Sequence, residues 1–324
     1  MAIAVLRSMA EWTARFGAAP RRSIVAIGNF DGIHLGHQKI LKEVVERARS
    51  SGSLSAAITF DPHPLHVLRP ADAPALISTL GQRIALMDRL GLDAVLVLKF
   101  DLELSRLSPE EFVQKILVEG LHISAVLVGD NFRFGHRHAG DTRLLAELGR
   151  RFSFTVETIT PVEFRGKVIS SSGIRQAIRE GRVALAARWL GRPFALGGEV
   201  RSGTGQGRQV VVPTLNLETT QELLPRTGVY ATETRVDGTV YRSATNVGYR
   251  PTFDGKRLTI ESHLFDFSRD VTAGPIEVRF CVRLRDEQKV PTIDALRGQV
   301  TRDLQRTRKF FQRADRLLGS RQTV

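Results

Sequence analysis

The sequence predicts an α/β protein with an N-terminal doubly wound, Rossmann-like domain and a C-terminal small antiparallel β-barrel that ends in a closing helix. Strand-sized apolar runs alternate with helical patterns through the first half, which implies βαβ units and a mostly parallel sheet. The hydrophobic period then falls to two, as in strands with one buried face. With 324 residues, the chain is long enough for two cores.

Ser23–Gly28 is a short apolar run that closes on glycine, and Ile40, Leu41, Val44, Val45 and Ala48 follow at helical spacing. Leu54–Phe60 reads as a strand, Thr79–Leu90 as a helix and Ala94–Phe100 as a strand. Pro109–Glu119 reads as a helix, with Ser108 placed to cap it and Pro109 at the first helical position. Ala125–Gly129 and Phe152–Ile159 read as strands on either side of a helix at Asp141–Arg150. Another helix is expected from about Gly173 to Leu190. The period changes near Trp189–Pro193, which divides the chain into residues 1–187 and 188–324. Beyond that point Val229–Val236 and Val240–Val247 flank Asp237-Gly238, a strong hairpin signal. Ile276, Val278, Phe280, Val282 and Leu284 alternate with polar neighbours, and a small barrel accommodates these strands. Ile293, Leu296, Val300 and Leu304 give the apolar stripe of a last helix near Thr292–Phe311. The first twenty or so residues carry no assignable pattern.

Apolar residues make up 42% and charged residues 25%, which is globular usage and excludes disorder over most of the chain. The lone cysteine, Cys281, cannot form an internal disulfide, and no Cys/His cluster has zinc spacing. The start has no long apolar run of the kind a leader needs, and the apolar stretches are strand-sized. A cytoplasmic protein with no membrane partner is expected. The net charge of +13 fits a nucleic-acid binder, attraction of small phosphate-bearing ligands, or a solvated basic face. The basic residues are spread along the chain and form no run interleaved with aromatics, so no nucleic-acid partner is expected. Nothing in the sequence sets the oligomeric state.

Gly28-Asn29-Phe30-Asp31-Gly32-Ile33-His34-Leu35-Gly36-His37 joins the first of these strands to its helix, at the strand end where open α/β sheets place ligands. His34 and His37 are three apart and share one face if both lie in the first helical turn. The helix start adds unpaired N–H groups and partial positive charge, so the pair suits a polyphosphate. A bare H-x-G-H is read equally well as two surface histidines beside a glycine turn. The strand–turn–helix setting favours the ligand reading, and Gly36 admits close approach to the backbone. Ser170-Ser171-Ser172-Gly173-Ile174-Arg175 opens another helix. Capping explains one of its serines, whereas three hydroxyls followed by a guanidinium suit an anionic oxygen cluster.

These residues carry a resemblance. GNFDGIHLGHQ (Gly28–Gln38), TFDPHP (Thr59–Pro64), GDNFRFG (Gly129–Gly135) and ISSSGIR (Ile169–Arg175), in this order, resemble the adenylyltransferase half of bacterial bifunctional riboflavin kinase/FMN adenylyltransferases, a family of H-x-G-H nucleotidyltransferases. The resemblance implies that His34 and His37 meet the ATP phosphates and that Asn131 assists them. It implies that Ser171 and Arg175 hold the outgoing pyrophosphate, with Gly28, Phe30, Asp31, Gly36 and Ser172 also at the nucleotide. Phe60 and His63 are implied on the flavin side.

In the second half, Gly203-Thr204-Gly205-Gln206-Gly207-Arg208 is glycine-rich but is no Walker loop, because no Lys-Ser or Lys-Thr follows. Taken alone it reads as a hairpin loop. Thr214 and Asn216 are two apart and point the same way on a strand. Their oxygens suit Mg²⁺ carried by a nucleotide, although taken alone they read first as ordinary strand-end polarity. Glu261 and His263 also share a face, and a carboxylate there can accept a hydroxyl proton or simply face solvent.

GTGQGR, PTLN, GVYA (Gly228–Ala231), NVGYRPTF (Asn246–Phe253), ESHLFDF and LRDEQK (Leu284–Lys289) resemble the riboflavin kinase half of the same family. That implies Mg²⁺ and ATP phosphate at Thr214 and Asn216, ATP at Gly205, Glu261 as general base and Arg285 at the flavin. Val211 stands where the family usually has glycine, and Thr272-Ala273 where it has Tyr-Gly. Riboflavin, FMN and ATP are the implied substrates, and Mg²⁺ accompanies ATP. The competing readings are a related transferase with another acceptor and a nucleic-acid binder.

Overall fold

The computed structural model describes residues 2–17, 21–201, 212–252, 255–288 and 291–319. The chain divides into two compact units, Met1–Ser171 and Ser172–Val324.

The first unit begins with β1 (Ala4–Leu6) and α1 (Met9–Phe16), which the sequence pattern did not announce. It continues through β2 (Ser23–Ile27), α2 (Leu35–Ser51), β3 (Leu54–Asp61), α3 (Pro64–Leu68), α4 (Leu80–Leu90) and β4 (Ala94–Lys99). Then come α5 (Leu102–Arg106), α6 (Pro109–Phe112), β5 (Ile123–Gly129), α7 (Thr142–Phe152), β6 (Thr155–Ile159) and a small hairpin of β7 (Glu163–Phe164) and β8 (Lys167–Val168). The strands form one parallel sheet in the order β1-β4-β3-β2-β5-β6. The order runs outward from β2 in both directions, so the switch point lies between β2 and β5.

Alternate residues of each strand feed two cores. Val25, Ala56, Leu96 and Val126 pack on one face with Trp12, Phe112 and Leu145. Ala26, Ala57, Val95 and Leu127 pack on the other with Leu41, Val44 and Met87 of α2 and α4. Both faces are covered, which is why these strands read as continuous apolar runs. Thr79 and Gln82 close a reciprocal capping box on α4, and Ser108 and Glu111 do the same on α6. The helix expected over Pro109–Glu119 changes its winding after Phe112 and runs on as a wide π-type turn through Val113–Gly120.

The second unit holds most of α8 (Ser171–Arg179), then α9 (Val183–Leu190) and a closed antiparallel barrel. The single helix expected from Gly173 to Leu190 is therefore two. Gly181 interrupts it at φ 76, where an L side chain is strained, and the pattern of apolar residues on either side conceals the break. The barrel strands are β9 (Phe194–Arg201), β10 (Leu215–Glu218), β11 (Gly228–Val236), β12 (Thr239–Thr252), β13 (Gly255–Leu264) and β14 (Pro275–Arg285), in the order β10-β13-β12-β11-β14-β9. Asp237-Gly238 makes the hairpin between β11 and β12, as its sequence predicts. Tyr230, Phe194 and Phe280 fill the interior beside a chain of buried hydroxyls, in which Thr232 and Thr245 lie 2.6 Å apart and Thr245 and Ser262 2.8 Å apart. Those hydroxyls satisfy one another, so their burial carries no unmet donor cost.

α10 (Ile293–Gly319) closes the unit and extends beyond the expected end at Phe311. On β14, burial pushes the Cys281 thiol up to about 12, which disfavours the reactive thiolate. Among the described residues no helix is long and apolar enough to cross a membrane.

Candidate functional site

The first site lies at the carboxyl ends of β2, β3 and β5, around the switch point. The chain leaves β2 at Gly28 and must turn sharply before α2. Phe30 at φ 48, Gly32 at φ 78 and Ile33 at φ 38 make that turn. A Cβ on Gly32 would fall 2.9 Å from the Ile77 side chain, so glycine is required for packing as well as for φ. Asp31 is 3% exposed and accepts the N–H groups of Ile77 and Ser78 at 3.0 and 3.1 Å. Its carboxylate thus fastens the turn to the segment before α4.

His34 is the N-cap of α2, and its Nδ1 accepts the His37 N–H at 3.3 Å. An imidazole that accepts at Nδ1 carries its proton at Nε2 when neutral, so the Nε2 of His34 is a donor. The His37 ring stacks on it with centroids 3.7 Å apart at 20°. A Cβ on Gly36 would sit 3.1 Å from the His34 ring, so that glycine makes room for the histidine itself. Burial, and then the His34 ring, hold the His37 pKa well below the usual histidine range, so His37 is neutral at pH 7. Its Nδ1 is buried without a partner among the described residues. Ser171 donates to the Asp31 carbonyl at 3.0 Å, which brings the start of α8 to the same turn. Ser172 is exposed, and Arg175 is buried one turn further along α8.

The flavin-side candidates follow β3. Phe60 meets Phe100 edge-on at 5.8 Å. His63 caps α3 through Nδ1, which accepts the Leu65 N–H, and its Nε2 lies 3.2 Å from the Asn29 amide. Asn131 sits exposed in the turn after β5, at the same end of the sheet. Sequence reasoning missed Asn29, Thr59 and Arg83, which lock together beneath the turn. Arg83 donates to the Asn29 carbonyl at 2.8 Å and to Thr59 Oγ1 at 3.1 Å. Arg83 is read from sequence as one polar position on α4, and only the packing of α4 reveals that it is buried.

The second site is a polar row on the outer face of the barrel. Asn216 on β10 pairs in register with Glu261 on β13, which pairs with Asn246 on β12. Opposed residues of antiparallel strands share a face, so these three side chains project together. Thr259 Oγ1 donates to Glu261 Oε1 at 2.9 Å. His263 meets the Pro213 carbonyl at 2.9 Å, which ties the Pro213-Thr214 segment to β13. Thr214 also lines a cavity of about 320 Å³ with Leu215, Ser262 and Phe267. Sequence reasoning missed Asn246 and Thr259 as site residues, because the register that aligns them with Glu261 is not readable from strands taken singly. Gly205 and Val211 lie outside the described residues.

Arg285 donates to Asp303 of α10 through Nε at 2.9 Å and Nη2 at 2.7 Å. Its Nη1 donates to the Asp286 carbonyl, so its fork is occupied by the protein. Both members of the pair are largely buried, with side chains 15% and 6% exposed. Asp303→Ala strands the guanidinium and is expected to destabilise the barrel unit by about 3 kcal/mol, read as a lowered urea midpoint. A parent-like midpoint would show that the pair contributes nothing. No group of three or more His, Cys, Asp or Glu side chains able to hold a metal ion occurs among the described residues.

Comparison with known proteins gives matches along both units. Residues 17–173 match the FAD synthetase family and residues 190–311 the riboflavin kinase family. The bifunctional riboflavin kinase/FMN adenylyltransferase of Pseudomonas fluorescens is 38% identical, covering 88% of this chain and 91% of that relative. Those of Haemophilus influenzae and Escherichia coli K12 are each 34% identical over 89% of this chain, covering 94% and 92% of their own lengths. A solved Streptococcus pneumoniae structure titled a macrolide-efflux protein superposes with a TM-score of 0.83 at 28% identity, covering 95% of this chain and 99% of its own. What it shares with this chain is the fold along both matched stretches, and its name is that protein's alone.

Proposed function

The chain belongs to the bifunctional riboflavin kinase/FMN adenylyltransferase family, and on that premise we propose which of its residues carry each reaction. It phosphorylates riboflavin with ATP in the C-terminal part, giving FMN. It adenylylates FMN with a second ATP in the N-terminal part, giving FAD and pyrophosphate. The observation that carries the adenylyltransferase assignment is the stacked His34–His37 pair on the capped start of α2.

In that reaction an FMN phosphate oxygen attacks the α-phosphorus of ATP, and the bond to the β-phosphate oxygen breaks. No proton has to move and no covalent protein intermediate is needed. The protein's work is position and charge stabilisation. The His34 Nε2–H and the amide N–H groups opening α2 meet the phosphates, and Asn131 assists from the neighbouring strand end. Gly28, Phe30 and Gly36 shape the floor of the site, and Asp31 holds it. Ser171 and Arg175 receive the departing pyrophosphate, with Ser172 also at the nucleotide. Phe60 and His63 take the flavin side.

In the kinase, Glu261 accepts the proton of the terminal ribityl hydroxyl as that oxygen attacks the γ-phosphorus and ADP leaves. Thr259 orients the carboxylate for that task. Asn216 and Thr214 supply hard oxygen donors too few for a full cage, which suits Mg²⁺ delivered with ATP. The bound ion would offset phosphate charge at the transferring group. The expected domain boundary between residues 187 and 188 falls in the stretch between the two family matches, and lies later than the division of the compact units at Ser171 and Ser172. A lone cysteine is compatible with a cytoplasmic setting, and no nucleic-acid partner is proposed.

Riboflavin, ATP and Mg²⁺ incubated with the protein and separated by chromatography are expected to give FMN followed by FAD, with neither formed in EDTA. Absence of both flavins in the complete mixture would mean a transferase with a different acceptor.

A further inference from the structure

We propose that Arg83 is a positioning residue for adenylyl transfer, clamping the Asn29 carbonyl so that the Phe30 N–H is presented to the nucleotide's phosphates. The inference rests on the adenylyltransferase reading of this site.

Arg83 lies on α4, outside every motif that carries the family resemblance, and is 3% exposed. Burying a guanidinium is costly unless its charge and donors are used. Its donor hydrogen bonds among the described residues go to neutral oxygens of the turn and of β3, the Asn29 carbonyl and Thr59 Oγ1. Thr59 in turn donates to the same carbonyl at 3.2 Å, so both lone pairs of that oxygen are engaged. The carboxylates of Asp31 and Asp61 act on Arg83 at longer range.

The N–H and C=O of a trans peptide point to opposite sides. With the Asn29 carbonyl turned toward Arg83, the Phe30 N–H faces the other way. Among the described residues no acceptor meets that N–H, although Phe30 is 2% exposed. Buried backbone donors are nearly always paired, so this one is set to receive an acceptor from outside the chain. The conformation is also one that needs holding, because Phe30 has φ 48. Its ring stands edge-on to His37 at 5.3 Å, so rotation of the Asn29–Phe30 peptide would disturb the donor and the histidine together.

The test uses the full chain, with FMN formation by the second site as the internal control and His34→Ala in parallel. Arg83→Met removes both charge and donors at similar length. It is expected to keep FMN formation within twofold and to lower kcat/KM for ATP in FAD formation about 30-fold or more, mainly through KM. Arg83→Lys, which keeps a charged donor, is expected to recover at least a third of the parental value. Should Arg83→Met fail to fold, Arg83→Gln, a neutral donor, is expected to fold and to raise KM for ATP at least fivefold. A folded Arg83→Met, or in its place Arg83→Gln, with parental KM for ATP overturns the proposal. So does an Arg83→Lys variant as impaired as Arg83→Met with an equally lowered thermal midpoint, since that pattern belongs to a purely structural residue. If His34→Ala also retains FAD formation, it is the reading of the site that fails, whereas loss in His34→Ala alone confines the failure to Arg83.

Discussion

His34→Ala or His37→Ala is expected to lower FAD formation from FMN and ATP by about 10²- to 10³-fold while riboflavin phosphorylation continues at the parental rate. The two rings stack at 3.7 Å, so removing either one leaves the other without its neighbour. His34→Ala additionally deletes the cap of α2, a loss of about 1 kcal/mol that the two apolar cores of the first unit can absorb. His37→Ala leaves the cap bond in place, since it runs from a backbone N–H, and is the cleaner variant. Chromatography of FMN-fed and riboflavin-fed reactions measures the two activities separately. Parental FAD output from either variant would remove the histidine pair from the chemistry.

Glu261→Gln gives the opposite pattern. Replacing the carboxylate by an amide preserves its size and leaves an oxygen able to accept from Thr259, so the row from Asn216 to Asn246 is expected to keep its geometry. Loss of the base is expected to lower riboflavin phosphorylation by about 10²- to 10⁴-fold. FAD formation from supplied FMN is expected to remain parental. If a single change at Glu261 or His37 removes both activities from a folded protein, the assignment of one reaction to each half is wrong.

The alternation of strands and helices was legible because both faces of the parallel sheet are covered, which makes Val25–Ile27 and Val95–Leu98 plain apolar runs. The histidine pair was legible because capping, glycine and imidazole stand within a few residues of one another. Arg83 was not, because the burial of a helix position depends on what the helix packs against, and the contact joins residues 54 positions apart. Asn246 and Thr259 were hidden for a related reason, since strand register is fixed by pairing and closure of the barrel. The break at Gly181 was missed because an isolated glycine in a helical pattern is also tolerated within a helix. Ala4–Leu6 is too short to carry a period, and it is a strand because it finds the exposed edge of β4.

The turn that ends in His34 has one more implication. Its ring fastens the first turn of α2 by accepting at Nδ1, and a doubly protonated imidazole has no lone pair with which to accept. A doubly protonated ring at this position would therefore lack the cap bond to the His37 N–H. On the proposed reading, attraction for a triphosphate at that residue comes from a directed N–H bond, and net charge is supplied by other groups. On the same reading, a nucleotide that drew a proton onto the ring would cost the first turn of α2 this cap bond and leave that turn to the two bonds of Gln38, to the His34 and Ile33 carbonyls.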